Sequence, residues 1–311
     1  MDAPQPRVHH FHAEAHVLEA QLQHPLTGDI KPQNHVKLLA EGGYILEHTK
    51  DYRADNVVTF KSAHTHVAGH KSPKEGHGWI TLATSVIEQL NVLEVVTADR
   101  VVAQTSTEHP SAGHVPTVTF LGTRFENLRI AGIPVNVKLK FPLTTIKPSD
   151  PDAAYLGDAS FLKEIGCSQS FPGVQAQFKA YLDNRNNPKP KDRANGTLAY
   201  EVSLEDRKSQ GDVKIQGNVI TVPEFGKIFL AELSVECDTF HLTMIRLDLG
   251  CIAGGKMSFS VSITNGSTFP SSAGFSRPVC PRPRAHSHVR ESSVVGPFSD
   301  RDRVLDLASD S

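Results

Sequence analysis

The chain has 311 residues, of which 39% are hydrophobic and 21% charged; it is long enough to bury one or two substantial cores and too apolar for a disordered polyelectrolyte. Lysine plus arginine (32) nearly balances aspartate plus glutamate (34), so no global field draws it to nucleic acid or an anionic membrane surface, and a nucleic-acid partner is excluded. Cys167, Cys237, Cys251 and Cys280 stand apart with no CxxC, which excludes a ribbon-type zinc site and a dense disulfide scaffold while leaving their pairing open.

The amino terminus, MDAPQPRVHHFHAEAH, carries no basic segment followed by an apolar run. It reads as lacking a secretory leader, which points to the cytoplasm. No stretch approaches the roughly 18 apolar residues of a membrane-spanning helix. Phe11, Ala13, Ala15 and Val17 alternate with polar residues, the period of a strand with one buried face. On its other face His10, His12, Glu14 and His16 form a row that could bind a divalent metal or simply be solvated.

Next comes His64-Thr65-His66 with His70, Glu75 and His77. His64 and His66 fall in phase with Val58 and Phe60 and so are expected to point inward. An HxH pair on a strand, followed by further ligands from a loop, is how small β-barrels such as cupins hold a divalent metal such as zinc. His64, His66, His70 and His77 are therefore the candidate metal ligands. His70 stands near the position where the cupin pattern has a glutamate, and Glu75 comes late; solvated loop histidines are the alternative.

From Trp79 to Thr105 two apolar strand-like halves, ITLATSVI and LNVLEVVTADRVVAQT, flank the polar pair Glu88-Gln89, which predicts a kink or bulge there. Trp79 reads as core or strand-edge packing. With aromatic residues at only 7%, a carbohydrate-stacking face lacks its raw material. Asp99, Arg100, Glu108, His109 and His114 form a third polar group. Neither spacing nor strand phase brings it together, and Asp99 and Arg100 read as a turn hydrogen bond and a surface ion pair.

Val135, Val137 and Leu139 form a further strand after the turn Gly132-Ile133-Pro134. The segment 149–196 differs: DASFLKEIG predicts a short helix capped by Asp158 and stopped by Gly166, followed by a polar loop. Thr243, Ile245, Leu247 and Leu249 share one face of a strand, as do Met257, Phe259, Val261 and Ile263, with turns at Gln216-Gly217-Asn218 and Gly254-Gly255. From Ser267 the chain is rich in serine, proline and arginine and reads as a flexible tail.

The expected organisation is thus a β-rich region (1–148), an insertion (149–196), a second β-rich region completing the sheets (197–266) and the tail (267–311). The expected fold is all-β, an antiparallel β-sandwich or jelly-roll-like architecture with a short helical insertion, with a parallel β-helix as the rival.

Two runs, SVIEQLNVLEVVTADRVVAQTS followed by TFLGTRFENLRIAGIPVNVKL and, later, ITVPEFGKIFLAELSV with HLTMIRLDLG and SITNG, resemble the bacterial choice-of-anchor P family. There a strand ending in VTAD precedes one written like NLRINGxPV. The resemblance covers about half the chain. It implies a secreted or surface-displayed β domain with no catalytic residues to carry over. Against that pattern the sequence reads as carrying neither a leader nor a sorting motif or membrane anchor, which sets the expectation of surface display against that of the cytoplasm.

GxSxG, P-loop, dinucleotide and HExxH motifs are absent. The sequence therefore favours a non-catalytic structural or binding module, with homo-oligomerisation through strand edges as one way it would work. The alternatives are a metal-dependent enzyme using the histidine cluster and a scaffold that responds to pH through its 16 histidines.

Overall fold

In the computed structural model the described residues are 7–24, 28–54, 56–75, 77–111, 116–140, 155, 161, 193–205, 212–236, 239–250, 254–264 and 267–270. Among them the strands are β1 (Arg7–His10), β2 (Ala13–Ala15), β3 (Leu18–His24), β4 (Gly28–Gln33), β5 (Val36–Lys37), β6 (Gly43–Ala54), β7 (Val58–Lys71), β8 (His77–Val92), β9 (Val96–Pro110), β10 (Thr117–Thr119), β11 (Arg124–Glu126), β12 (Arg129–Ile130), β13 (Ile133–Leu139), β14 (Arg193–Thr197), β15 (Ala199–Leu204), β16 (Lys214–Gln216), β17 (Val219–Val222), β18 (Gly226–Glu236), β19 (Thr239–Leu249), β20 (Gly254–Thr264) and β21 (Ser267–Pro270).

A nine-stranded sheet runs β15-β13-β12-β9-β8-β7-β6, with β10 and β11 also on the outer edge of β9. A ten-stranded sheet runs β16-β17-β18-β19-β20-β2-β5, with β14 on β18 and the β3-β4 pair beside β20. The ladders are antiparallel throughout, which excludes the parallel β-helix. Ala63 and Val67 of β7, Ala83 and Ile87 of β8, and Val101 and Ala103 of β9 meet Ala13, Ala15, Leu233, Val235, Phe240 and Leu242 in one buried core, so the fold is an antiparallel sandwich. Strands from the two expected β-rich regions interleave: β15 lies beside β13, while β2 to β5 belong to the sheet built around β18 to β20.

The sheets are creased rather than flat. On the inner face of β8 the buried positions run Ala83, Ser85, Ile87 and then Leu90, Val92, so the alternation slips by one residue, while Thr84 and Val86 are buried on the other face. The same slip separates Phe60 from Ala63 in β7 and Ala98 from Val101 in β9. Asp51 (φ 51°) and Gln89 (φ 52°) sit in the left-handed region at this level. The ladders skip Asp51, Lys61, Gln89 and Asp99 while keeping register on either side. Because strands slip at the same level, pairing survives and the whole sheet bends along one line. This is the kink predicted at Glu88-Gln89. The ten-stranded sheet has a counterpart at Ala231 (φ 51°) and Met244, near the break between β2 and β3. There the Ser85 hydroxyl donates to the His16 carbonyl at 3.0 Å.

The second crease corrects one expectation: Thr243 lies on the opposite face from Ile245, Leu247 and Leu249, which are buried. Gly254-Gly255, expected as a turn, is the start of β20, whereas Gly132 (φ 77°) and Gly217 (φ 62°) do turn the chain between paired strands. Ser267–Pro270, assigned to the tail, pairs with β1; residues 271–311 lie outside the described residues. So does most of the insertion, including Asp158 and Gly166. Among its described members Tyr155 and Phe161 are buried against Phe240 with ring centroids 5.2 and 6.3 Å away, and residues 193–196, expected as the end of a polar loop, instead form most of β14, because they pair with β18.

Candidate functional site

Strand β6 is terminal in the nine-stranded sheet, and among the described residues no strand pairs with its outer edge. Gly42 (φ 90°) and Gly43 (φ 108°) turn the chain into it, and a Cβ on Gly42 would sit 2.5 Å from the Gly69 carbonyl oxygen. The strand is 12 residues long and none of its residues is buried. The reason is geometric: the facing sheet ends at β5, only two residues long, so β6 overhangs it.

On its outer face β6 sets Leu46 beside His66 and His48 beside His64 of β7. These in turn lie beside Thr84 and Val86 of β8. Tyr44 is 64% and Leu46 52% exposed, although the Tyr44 ring leans on His66 with centroids 5.9 Å apart. At the crease, the Ser62 hydroxyl donates to Glu88 at 2.5 Å and Arg100 pairs with Glu88 at 2.9 Å. The Ser62 hydrogen bond first, with Arg100 helping, holds the Glu88 carboxyl below its usual range. Burial pushes His64 and His66 down, with Arg100 and His48 adding to the effect at His64 and His64 adding to it at His66. These imidazoles are therefore neutral at neutral pH.

The phase slip in β7 places His64 and His66 on this outer face and not inward as expected, because Val58 and Phe60 precede the crease and the histidines follow it. His70 is exposed near the end of the same strand, roughly 13 Å along from His66. His77, on β8, bonds through Nδ1 to the Glu108 carboxylate. The structure thus pairs His64 with His66 as neighbours and sets His70 and His77 apart from them. Among the described residues no group of three or more His, Cys, Asp or Glu is placed to hold a metal ion.

The row read from the first strand is divided, with His10 on β1 and Glu14 on β2. Glu14 bonds His35, whose ring lies 6.4 Å from that of His16. Burial, with His35 next, lowers the His16 pKa to about 4. In the third group Asp99 accepts from Asn127 at 3.1 Å, and His109 is buried, its ring 4.6 Å from that of His9. His9 stacks on Trp79 at 5.0 Å, which accounts for Trp79 as packing. His114 and the four cysteines fall outside the described residues.

Sequence reasoning passed over β6. The signal is GYILEHTK, which mixes apolar and charged residues on both faces, the pattern of an edge strand that touches the core only in part, here through Ile45, Tyr52 and Ala54.

The family model DUF8256, a domain of unknown function, matches residues 9–236. The chain belongs to the DUF8256 family. Neither a curated protein nor a solved structure matches it. The DUF8256 match contains β6 to β9 and the crease. It stops at the last residue of β18, whereas β19 and β20, which lie between β18 and β2 in the ten-stranded sheet, follow it. Among the described residues of this DUF8256 member no helix is long and apolar enough to cross a membrane.

Proposed function

We propose that the chain is a non-catalytic β-sandwich structural module that works by strand-edge association with copies of itself. The observation that carries this reading is β6, a 12-residue terminal strand with exposed Tyr44 and Leu46. Free strand edges are ordinarily blunted by shortness, proline or bulges, because their unpaired N–H and C=O groups template pairing. Three other edges carry such devices, since β16 and β5 have three and two residues and β4 contains Pro32, and β15, at the opposite end of the same sheet as β6, is half its length with six residues. In β6 the ladder to β7 runs unbroken from Gly43 to Lys50 and first skips at Asp51, so Tyr44 to Lys50 stays straight, and among the described residues nothing pairs with its outer edge.

Sedimentation velocity across a wide concentration series tests this. Reversible association at micromolar concentration is expected, and a monomer at every concentration overturns the reading.

A further inference from the structure

A sheet edge that pairs with its own copy must do so about a two-fold axis, antiparallel, with directly opposed residues on the same face. That condition makes the register a question the sequence of β6 can answer. An axis at Glu47 opposes two identical carboxylates, which is unfavourable. An axis at His48 runs the pairing into Asp51, where φ is 51° and the strand breaks. An axis at Ile45 leaves only residues 43–47 to pair, because Gly42 (φ 90°) lies in the turn before the strand.

We infer that β6 pairs with β6 of a second copy about a two-fold axis at Leu46, a register that rests on the self-association proposed above. Leu46 then faces Leu46 of the second copy, Tyr44 faces its His48, Ile45 faces its Glu47, and Gly43 faces its Thr49. Residues 44–48 pair within the straight segment and clear of the crease, and Gly43 (φ 108°), still in the ladder to β7, meets Thr49 at the mouth of the turn. Leu46 and Tyr44, both largely exposed in the single chain, come together on one face. Tyr44 meets an imidazole across the axis as it already does at His66 within the chain. No like charges are opposed, and the two nine-stranded sheets become one continuous sheet.

The register is tested by disulfide trapping in the full chain. Directly opposed residues in an antiparallel pair have Cα atoms about 4.5–5.5 Å apart, within disulfide reach. Under mild oxidation Leu46→Cys is expected to give, by mass spectrometry, two copies of the same β6 peptide joined by a disulfide at the substituted position. Tyr44→Cys and His48→Cys are each expected to give none alone, and the double variant Tyr44→Cys/His48→Cys to cross-link. Leu46→Lys, which opposes two ammonium groups at the axis, is expected to weaken dimerisation at least tenfold while leaving the melting temperature of the monomer unchanged. Association without a link through position 46, or association of Leu46→Lys equal to that of the wild type, overturns the register alone. A chain that never associates overturns the register together with the reading beneath it.

Discussion

The hydroxyl of Thr65 donates to the carbonyl oxygen of Asn34 at 2.7 Å, tying the nine-stranded sheet to the bend between β4 and β5 of the other. Asn34 is buried and left-handed (φ 49°). Its side chain donates to the Ala63 carbonyl at 3.1 Å and accepts from the Thr49 hydroxyl of β6. One asparagine thus fixes the last two strands of the sheet relative to the sandwich and anchors β6 just before the crease.

Asn34→Ala removes the side-chain bonds and keeps the left-handed strain, so a loss of about 2–4 kcal/mol is expected in urea unfolding. Asn34→Gly relieves the strain, so its loss is smaller. Equal losses for the two would mean that the backbone conformation contributes nothing.

At Gln89 the usual preference of strands is expected to invert. Its φ of 52° suits glycine and penalises a β-branched residue. Gln89→Gly should be neutral or slightly stabilising, while Gln89→Val should cost about 1–3 kcal/mol. Thermal denaturation of the two variants decides it, and a Val variant as stable as the Gly variant would mean that the strand runs straight through the crease.

Arg246 clamps the second sheet near its own crease. It donates to Glu232 at 2.7 and 3.1 Å and to Asp248 at 2.7 Å, and its guanidinium lies 3.5 Å from the centre of the Phe229 ring. Lysine keeps the charge but neither the fork nor the stacking. Arg246→Lys is therefore expected to lose about 1–2 kcal/mol in chemical denaturation, and Arg246→Ala more, because it leaves two partly buried carboxylates without their partner.

Burial holds His9 and His16 at pKa values of about 4, against 6.5 for the unperturbed side chain. Between those values the unfolded chain binds protons that the folded chain does not. Stability is then expected to fall as pH drops from about 6.5 to about 4 and to gain no further loss from these groups below that. His9→Phe, which preserves the stack on Trp79, combined with His16→Asn should flatten the melting-temperature profile across that window. An unchanged slope in the double variant would place the pH dependence elsewhere.

The family match ends at Glu236, but Ala13 and Ala15 of β2 are paired with β20, and β18 is paired with β19. A fragment of residues 9–236 leaves both ladders open in the middle of a sheet. It is expected to show no cooperative unfolding transition, whereas a fragment of 7–270 does. Cooperative unfolding of the shorter fragment would show that β19 and β20 are dispensable.

Strand alternation made the sandwich legible where one face is apolar, as in Ala13 and Ala15 or Leu247 and Leu249, and the polar pair Glu88-Gln89 marked the crease. What alternation could not show was how far the crease extends. Asp51, Lys61 and Asp99 look like ordinary polar residues until pairing sets them on one line, so alternation alone puts His64 and His66 on the wrong face. The inner face carries Thr65, Thr81, Thr105 and Thr107, all fully buried, which hid the core side of β7, β8 and β9 from a reading based on hydrophobicity. The candidate site was the least legible part, because an edge strand is defined by the absence of a neighbour, and neighbours are fixed by segments distant in sequence.

Amide hydrogen exchange at low and high protein concentration, read peptide by peptide, tests the role of β6 most directly. The expected result is slowed exchange within residues 43–49 at high concentration, with β15, β16 and β4 unchanged. Association accompanied by protection at those other edges, and none in 43–49, would contradict it.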